Sequence, residues 1–438
     1  MPTSNTTSRI SIPPTVNVRS AKKSFNPFSR LTSHGNAKDI ESDDAVTAQL
    51  VALRQRLQPI IDRLVQAFRN PNTYSRLLAS QKGDAQALLD VFQLIVTVGP
   101  AKNSGRTLIL ASRELTASSG LYPSQFLLAS VELYDERPIA AGTHVDIRRG
   151  TLRGRDVCVK TIRVYRTSIY DTILKTIARE AIFWGQLAHP NLLPFYGVCT
   201  FGQQTSLVFP WAANGNVAEF LEAHPVANRL LLCADIAGGL AHLHENNLVY
   251  GCLKGSKVLI DTSHRAYLGD FGISAADDPE ILRWAAQSVA KSNGSSVRWL
   301  APELYDDNGQ VGHSEENSSN RRESDIYAWA CVCYEIFAER VPFFEESRDP
   351  FVIQKVLKGV RPSRPKCSAG LTDEIWTLMN KCWERQPSQR PTSARVLSKL
   401  IDMQPIDYRP PGEWTGQMLS PNVSDIPLAL NRVDKLIA

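Results

Sequence analysis

The chain has little that would commit it to a membrane, a metal or an oxidising compartment. None of its 438 residues belong to an apolar run near the roughly 18 to 20 residues of a membrane span, and its first residues lack a hydrophobic signal core. An intracellular, cytoplasmic location without a membrane partner is therefore the expectation. The cysteines (Cys158, Cys199, Cys233, Cys252, Cys331, Cys333, Cys367, Cys382) include no C-x-x-C pair, and no histidine stands at zinc-ligand spacing from them. Reduced thiols serving as small core residues are expected instead. Charge of one sign is also scarce. Lys+Arg 49 against Asp+Glu 44 leaves +5, spread along the chain, which gives no reason to expect nucleic acid.

Acidic residues are missing in one place, the N-terminus, where six Lys/Arg precede the first acid, Asp39. Residues 1–44 are rich in Ser, Thr, Asn and Pro and read as a disordered basic tail. A mitochondrial presequence shares that composition, but Pro13, Pro14 and Pro27 interrupt the amphipathic helix it would need. What is present in quantity is hydrophobic residue, 43%, enough for a sizeable core in a chain whose 438 residues can hold two or three domains. From Ala45, Leu50, Leu53, Leu57, Ile60, Ile61, Leu64 and Phe68 recur at the spacing of one helix face, with Pro59 expected to kink or split the helix. Further helical patterns run over about 84–98 (Leu88, Leu89, Phe92, Ile95) and 105–119 (Leu108, Ala111, Leu115), the last with Gly120 where a C-terminal cap belongs. Residues 45–130 are thus expected to form a small helical bundle, either an interaction module or a stabilising extension. Residues 403–438 show little periodicity and read as a tail.

The remaining stretch is organised around Leu248–Asp261, LVYGCLKGSKVLID: a short apolar strand end, a polar loop with two glycines, and a second apolar run. Asp270-Phe271-Gly272 follows, and further on Ala301-Pro302-Glu303. In that order these motifs resemble the catalytic loop (H-R-D-L-K-x-x-N), D-F-G and A-P-E of a protein kinase. The resemblance covers roughly residues 131–402, and W-E-R-Q-P-S-Q-R-P at 383–391 is similar to the tyrosine-kinase-like and tyrosine kinase groups. It implies an α+β, two-lobed kinase fold, a small mostly β lobe with helix C and a large mostly α lobe, preceded by the helical bundle.

The resemblance also assigns roles. Lys160 of Val157-Cys158-Val159-Lys160 would reach the ATP phosphates, with Glu180 as its helix-C partner. Gly142 is the one glycine of a degenerate phosphate-covering hairpin. Cys158 would roof the adenine, Leu259 would floor it, Phe209 would be the gatekeeper, and Trp211 and Ala212 the hinge. Asp270 would hold Mg2+. Tyr250, in place of the loop histidine, would stack with Trp184, Phe195 and Phe271 in a regulatory column anchored by Asp325. Glu303 would pair with Arg390. Ser288, Ser292, Ser295 and Ser296 would offer hydroxyls in the activation loop.

Two chemical positions depart from the pattern. Cys252 stands where the family has its catalytic aspartate and Lys257 where it has a metal-binding asparagine, while Lys254 survives. A thiol of pKa about 8.5 is mostly neutral at pH 7 and accepts a proton poorly. Losing a general base typically costs about 10² to 10⁴ in rate. An ammonium at a metal subsite is worse, since like unit charges at about 4 Å repel by roughly 4 kcal/mol at an effective dielectric near 20. The implied function is a pseudokinase that binds ATP, with Mg2+ through Asp270 only, and signals to unidentified protein partners. A weakly active Ser/Thr kinase, and a nucleotide-free scaffold working through the N-terminal helices, are the alternatives.

Overall fold

The computed structural model describes residues 37–98, 104–141, 145–162, 181–182, 184–185, 187–201, 204–269, 274–275, 296–305, 321–366, 370–403, 406–414 and 426–437. Gly142, Glu180, Asp270 and Phe271 lie outside them, as do Ser288, Ser292 and Ser295.

Four helices open the described chain: α1 (Ala37–Arg69), α2 (Pro71–Leu78), α3 (Lys82–Val98) and α4 (Ser104–Ser119). Helix α1 continues through Pro59 rather than splitting there. Helix α2 has no counterpart in the periodicity, but its start is chemically explicit: the Asn70 side chain accepts from the N–H groups of Asn72 and Thr73, and Pro71 stands where no intrahelical donor is needed. Gly120, at φ +70°, ends α4 in the left-handed conformation expected of it and donates its N–H to the Thr116 carbonyl. Leu57, Leu64, Leu88, Phe92, Leu108 and Leu115 meet in one buried core.

The chain then enters a curled antiparallel sheet: β1 (Val131–Leu133), β2 (Ala140–Ala141), β3 (Val145–Leu152), β4 (Arg155–Ile162), β5 (Gly197–Phe201) and β6 (Gln204–Pro210). The strand order is β1-β3-β4-β6-β5, with β2 also pairing β3. In this register Lys160 on β4 stands between Ile147 of β3 and Leu207 of β6, and Cys158 stands opposite Phe209. Alternation along β4 turns Val157 and Val159 into a small core on one face and leaves Cys158 and Lys160 partly exposed on the other.

The large lobe begins with α5 (Val217–Ala223) and α6 (Arg229–Glu245). Asn216 and Glu219 close a reciprocal capping box on α5. Helix α6 is buried on nearly every face, which is why its sequence is apolar all round. Short strands β7 (Leu248–Val249), β8 (Val258–Ile260), β9 (Ala266–Leu268) and β10 (Ser274–Ala275) frame the loop of interest, with β10 on β7 and β9 on β8. Helices α7 (Arg321–Ala338), α8 (Asp349–Leu357), α9 (Asp373–Cys382) and α10 (Ser393–Met403) complete the lobe. Its core runs through Trp329, Cys331, Val332 and Cys333 of α7.

The reading of 403–438 as an aperiodic tail is corrected here. Residues 406–414 lie as a strap on the β8–β9 hairpin, where Arg409 pairs with Asp235 at 2.9 Å and Trp414 packs on Tyr267 with ring centroids 4.5 Å apart. Ile426–Ile437 then forms a helix, α11, which buries Leu430 and Val433 in the core of the N-terminal bundle. Ile426, Leu430, Val433 and Ile437 recur at helical spacing, a signal the reading as a tail overlooked; which surface the helix fits was set more than 300 residues earlier.

Candidate active site

The loop between β7 and β8 is suspended from α7. Asp325, buried at the start of that helix, accepts from the Tyr250 N–H at 2.7 Å through Oδ2 and from the Gly251 N–H at 2.8 Å through Oδ1. His244 Nε2, from the end of α6, lies 2.9 Å from the same Oδ2. Several donors converge on this one buried carboxylate, and their convergence fixes them in space. Gly251 has φ +81°, a left-handed conformation that a glycine adopts without steric cost.

A second carboxylate holds the next part of the loop. Glu335, three turns further along α7, accepts through Oε2 from the Gly255 N–H at 2.8 Å and from the Trp299 indole at 2.6 Å. A Cβ at position 255 would fall 2.9 Å from both Glu335 oxygens, so this approach needs a glycine. Glu335 thus ties the catalytic loop to the segment preceding Ala301-Pro302-Glu303. Sequence reasoning missed it, although a lone acid inside the apolar run AWACVCYEIF was a visible signal.

Burial pushes the Glu335 carboxyl up to about 7, against the opposing pull of the Trp299 and Gly255 donors and the Lys254 charge. A carboxyl whose pKa is higher folded than unfolded favours folding below its unfolded value, and that contribution disappears as pH rises through the folded value. Stability is accordingly expected to fall by no more than about 3 kcal/mol between pH 4.5 and 7 on account of this group. In Glu335→Gln that slope is lost, which urea denaturation across the same pH range measures.

Between these two anchors stand the substituted side chains. Cys252 is partly exposed, with Sγ 3.9 Å from the Ser296 hydroxyl oxygen, and Lys254 Nζ is 3.4 Å from the same oxygen. Ser296 is therefore a buried partner of the loop rather than a free activation-loop hydroxyl. Lys257 is partly exposed, and its carbonyl accepts from Gly269 N–H at 3.0 Å. Tyr250 is fully buried and donates its hydroxyl to the Gly269 carbonyl at 2.5 Å, immediately before Asp270.

Cys158, Ala212 and Leu259 pack against the main core while remaining partly exposed, the state of residues that line a cleft. Trp211 is partly buried and carries the Arg149 guanidinium over its ring at 5.1 Å. Phe209 is buried and meets Trp184 at 5.3 Å and Phe195 at 5.6 Å between ring centroids. Phe126, just ahead of the sheet, joins this cluster through Phe195 at 5.6 Å. It was not among the expected residues. The structure therefore brings Trp184, Phe195 and Phe209 together and places Tyr250 on the Asp325 anchor. The remaining member of the expected column, Phe271, and the expected Lys160 partner, Glu180, fall outside the described residues, with Gly142 and Asp270.

Below the loop, Arg390 grips Glu303 through two bonds, Nη1 to Oε1 at 2.6 Å and Nη2 to Oε2 at 2.8 Å. The Ser324 hydroxyl donates to the same Oε1 at 2.7 Å, and the Arg390 guanidinium lies 5.2 Å from the Tyr327 ring centre.

A lysine strand, a loop hung from a buried aspartate and a buried Glu–Arg clamp recur together in one large group of proteins, and the family model for protein tyrosine and serine/threonine kinases matches residues 133–400. The chain belongs to this kinase family. Curated relatives include the serine/threonine-protein kinase STY17 of Arabidopsis thaliana, 24% identical over 273 residues, covering 61% of this chain and 44% of that one. The tyrosine-protein kinase csk-1 of Caenorhabditis elegans is 28% identical over 271 residues, 60% of this chain and 45% of that one. The serine/threonine/tyrosine-protein kinase HT1 of A. thaliana is 24% identical over 277 residues, 61% and 66% respectively. The chain spans less than two thirds of each. No helix among the described residues is long and apolar enough to cross a membrane.

Proposed function

We propose that this kinase-family chain is a nucleotide-binding pseudokinase, a signalling or scaffold module whose cleft takes ATP and whose conformation is read by protein partners. The observation that supports it most is a contrast within one loop. Its backbone is held by Asp325 and Glu335, yet the side chains displayed at 252 and 257 are a thiol and an ammonium.

The apolar shelf of Cys158, Ala212 and Leu259, with Lys160 partly exposed on the same face of the sheet, suits a purine and its phosphates. Lys257 does not suit a second divalent cation, because its ammonium would repel it. Among the described residues no group of three or more His, Cys, Asp or Glu side chains could hold a metal. Asp270 is the residue that would carry Mg2+.

Thermal denaturation in the presence of ATP, with and without Mg2+, tests the reading. Saturation at a hundred times Kd is worth about 2.7 kcal/mol of added stability and raises Tm. The rise is expected to persist in part without the metal and to vanish in Lys160→Met. No shift in either condition removes this reading.

Lys254 and its contact with Ser296 favour a second reading, a slow Ser/Thr kinase. Radiolabel transfer from ATP to the chain or to a generic substrate, abolished by Lys160→Met, would support it.

A further inference from the structure

The N-terminal bundle and the kinase fold meet at a seam that passes between two adjacent residues. Leu121 packs against the bundle core, whereas Tyr122 packs against the main core, as does Ile109 of α4. Two side chains of α3 pin the chain just beyond this point. Gln86 donates to the Tyr122 carbonyl at 2.9 Å and to the Ser124 hydroxyl at 3.1 Å. Asp90 accepts from the Ser124 N–H at 2.6 Å through Oδ1 and from the Ser124 hydroxyl at 2.9 Å through Oδ2. Ser124 is thus fixed by its backbone and its side chain at once.

Residues 124–126 make one tight turn, in which the Phe126 N–H donates to the Pro123 carbonyl at 2.9 Å. The chain then joins the edge of the sheet. Leu127 pairs in parallel with Val198 of β5, the last strand in the order, and the Leu128 N–H donates to the Val198 carbonyl at 2.8 Å. Phe126 is therefore held on both sides, by the bundle before it and by the sheet after it.

Its ring takes up room that a glycine leaves. A Cβ on Gly185 would lie 2.0 Å from that ring, and a Cβ on Gly197 would lie 2.4 Å from the Phe126 carbonyl oxygen. The buried ring meets Phe195 edge-on at 5.6 Å. Phe195 in turn meets Phe209 at 5.6 Å, and Trp184, which precedes Gly185, meets Phe209 at 5.3 Å. Phe209 stands opposite Cys158 on β4. Contacts run unbroken from α3 to the strands that carry Cys158 and Lys160.

We propose that Phe126 is a positioning residue for the back of the cleft, and that the N-terminal bundle serves to hold it there. By fixing Ser124, α3 fixes the ring against which Phe195 and Phe209 are stacked. Contacts between rings depend on their geometry, and a gap beside a packed ring forfeits its contacts outright. Loss of the grip on Ser124 frees the Phe126 ring to shift, and β5 and β6 lose a fixed neighbour. The effect on ATP rests on the reading of the cleft given above, whereas the effect on the strands does not.

Hydrogen exchange on the full chain without nucleotide, paired with a calorimetric titration of ATP, separates these two effects. Asp90→Ala releases Ser124 and leaves every ring in place. It is expected to speed amide exchange in β5 and β6 by about fivefold or more, the lower end of ordinary coupling between sites, and to raise the Kd for ATP by a similar factor. Phe126→Ala should exceed it, and Phe126→Leu, which refills most of the space, should recover most of the loss. Exchange in α7 of the large lobe should be the same in every variant. If Phe126→Ala fails to fold, Asp90→Ala still decides the matter. Faster exchange confined to 82–126, or spread evenly over the chain with α7 included, would overturn the proposal, as would faster strand exchange that leaves the Kd of bound ATP unchanged. A wild-type chain that binds no ATP removes the reading of the cleft, and the exchange pattern alone then decides whether Phe126 positions the strands.

Discussion

Replacing Cys252 with aspartate and Lys257 with asparagine in the same chain is expected to raise phosphoryl transfer by about 10² to 10⁴. Transfer of a γ-phosphoryl group demands positioning and charge neutralisation more than covalent work from the protein. Positioning of the loop is in place: Tyr250 and Gly251 hang from Asp325 and Gly255 from Glu335, so a carboxylate at 252 inherits a fixed backbone. The Ser296 hydroxyl, 3.9 Å from the present thiol and 3.4 Å from Lys254 Nζ, marks where that carboxylate would be received. The gain corresponds to about 3 to 5 kcal/mol of barrier. Cys252→Asp alone should recover part of it, because Lys257 would still oppose a second metal. Initial rates with labelled ATP and a generic Ser/Thr peptide, against Lys160→Met in the same background, measure the effect. If ATP binds and the double variant stays silent, the defect lies away from these two side chains, and the proposed cause of inactivity is wrong.

Much of this scaffold was legible in the sequence because its parts are short and chemically loud. Lys160 on its strand, Leu248–Val249 and Val258–Ile260 around the loop, and the Glu303–Arg390 pair all stand where spacing and resemblance put them. Gly120 ends its helix for the reason glycine usually does. The unread parts share a different physical character. Helix α11 carries its own apolar stripe, which went unread, but its burial comes from α1 and α3, and the strap owes its course to Asp235, Asp261 and Tyr267, which are polar or aromatic positions with ordinary neighbours in sequence. Phe126 and Gly185 matter as a pair, a ring and the space for it, and neither is informative alone. Glu335 and Ser296 likewise acquire meaning only when the loop folds against them. Local pattern reports what a segment can form; which distant surface it covers is a tertiary fact.

The largest stability loss from a single substitution is expected at Arg390. Its side chain is fully buried, its guanidinium satisfies both oxygens of Glu303, and it also donates to the Glu384 and Glu323 carbonyls at 2.9 and 3.0 Å. A buried pair of this kind adds little net stability relative to well-packed apolar residues, since desolvating both ions offsets their attraction. Removing one partner is another matter. In Arg390→Ala the Glu303 carboxylate keeps, among the described residues, the Ser324 hydroxyl, two backbone carbonyls lose the bonds Arg390 gives them, and Tyr327 loses one of the two guanidinium groups over its ring, Arg361 remaining at 5.3 Å. Breaking such a pair typically costs about 3 to 5 kcal/mol, a large share of the 5 to 15 kcal/mol that holds ordinary domains together. The urea midpoint should fall accordingly with its slope unchanged. Joint replacement, Arg390→Met with Glu303→Leu, is expected to recover most of that loss because no unpaired charge remains. If the joint variant is as unstable as Arg390→Ala, the cost comes from the shape of the site rather than from the stranded carboxylate. The clamp beneath Ala301-Pro302-Glu303 would then be a packing feature and not an electrostatic one.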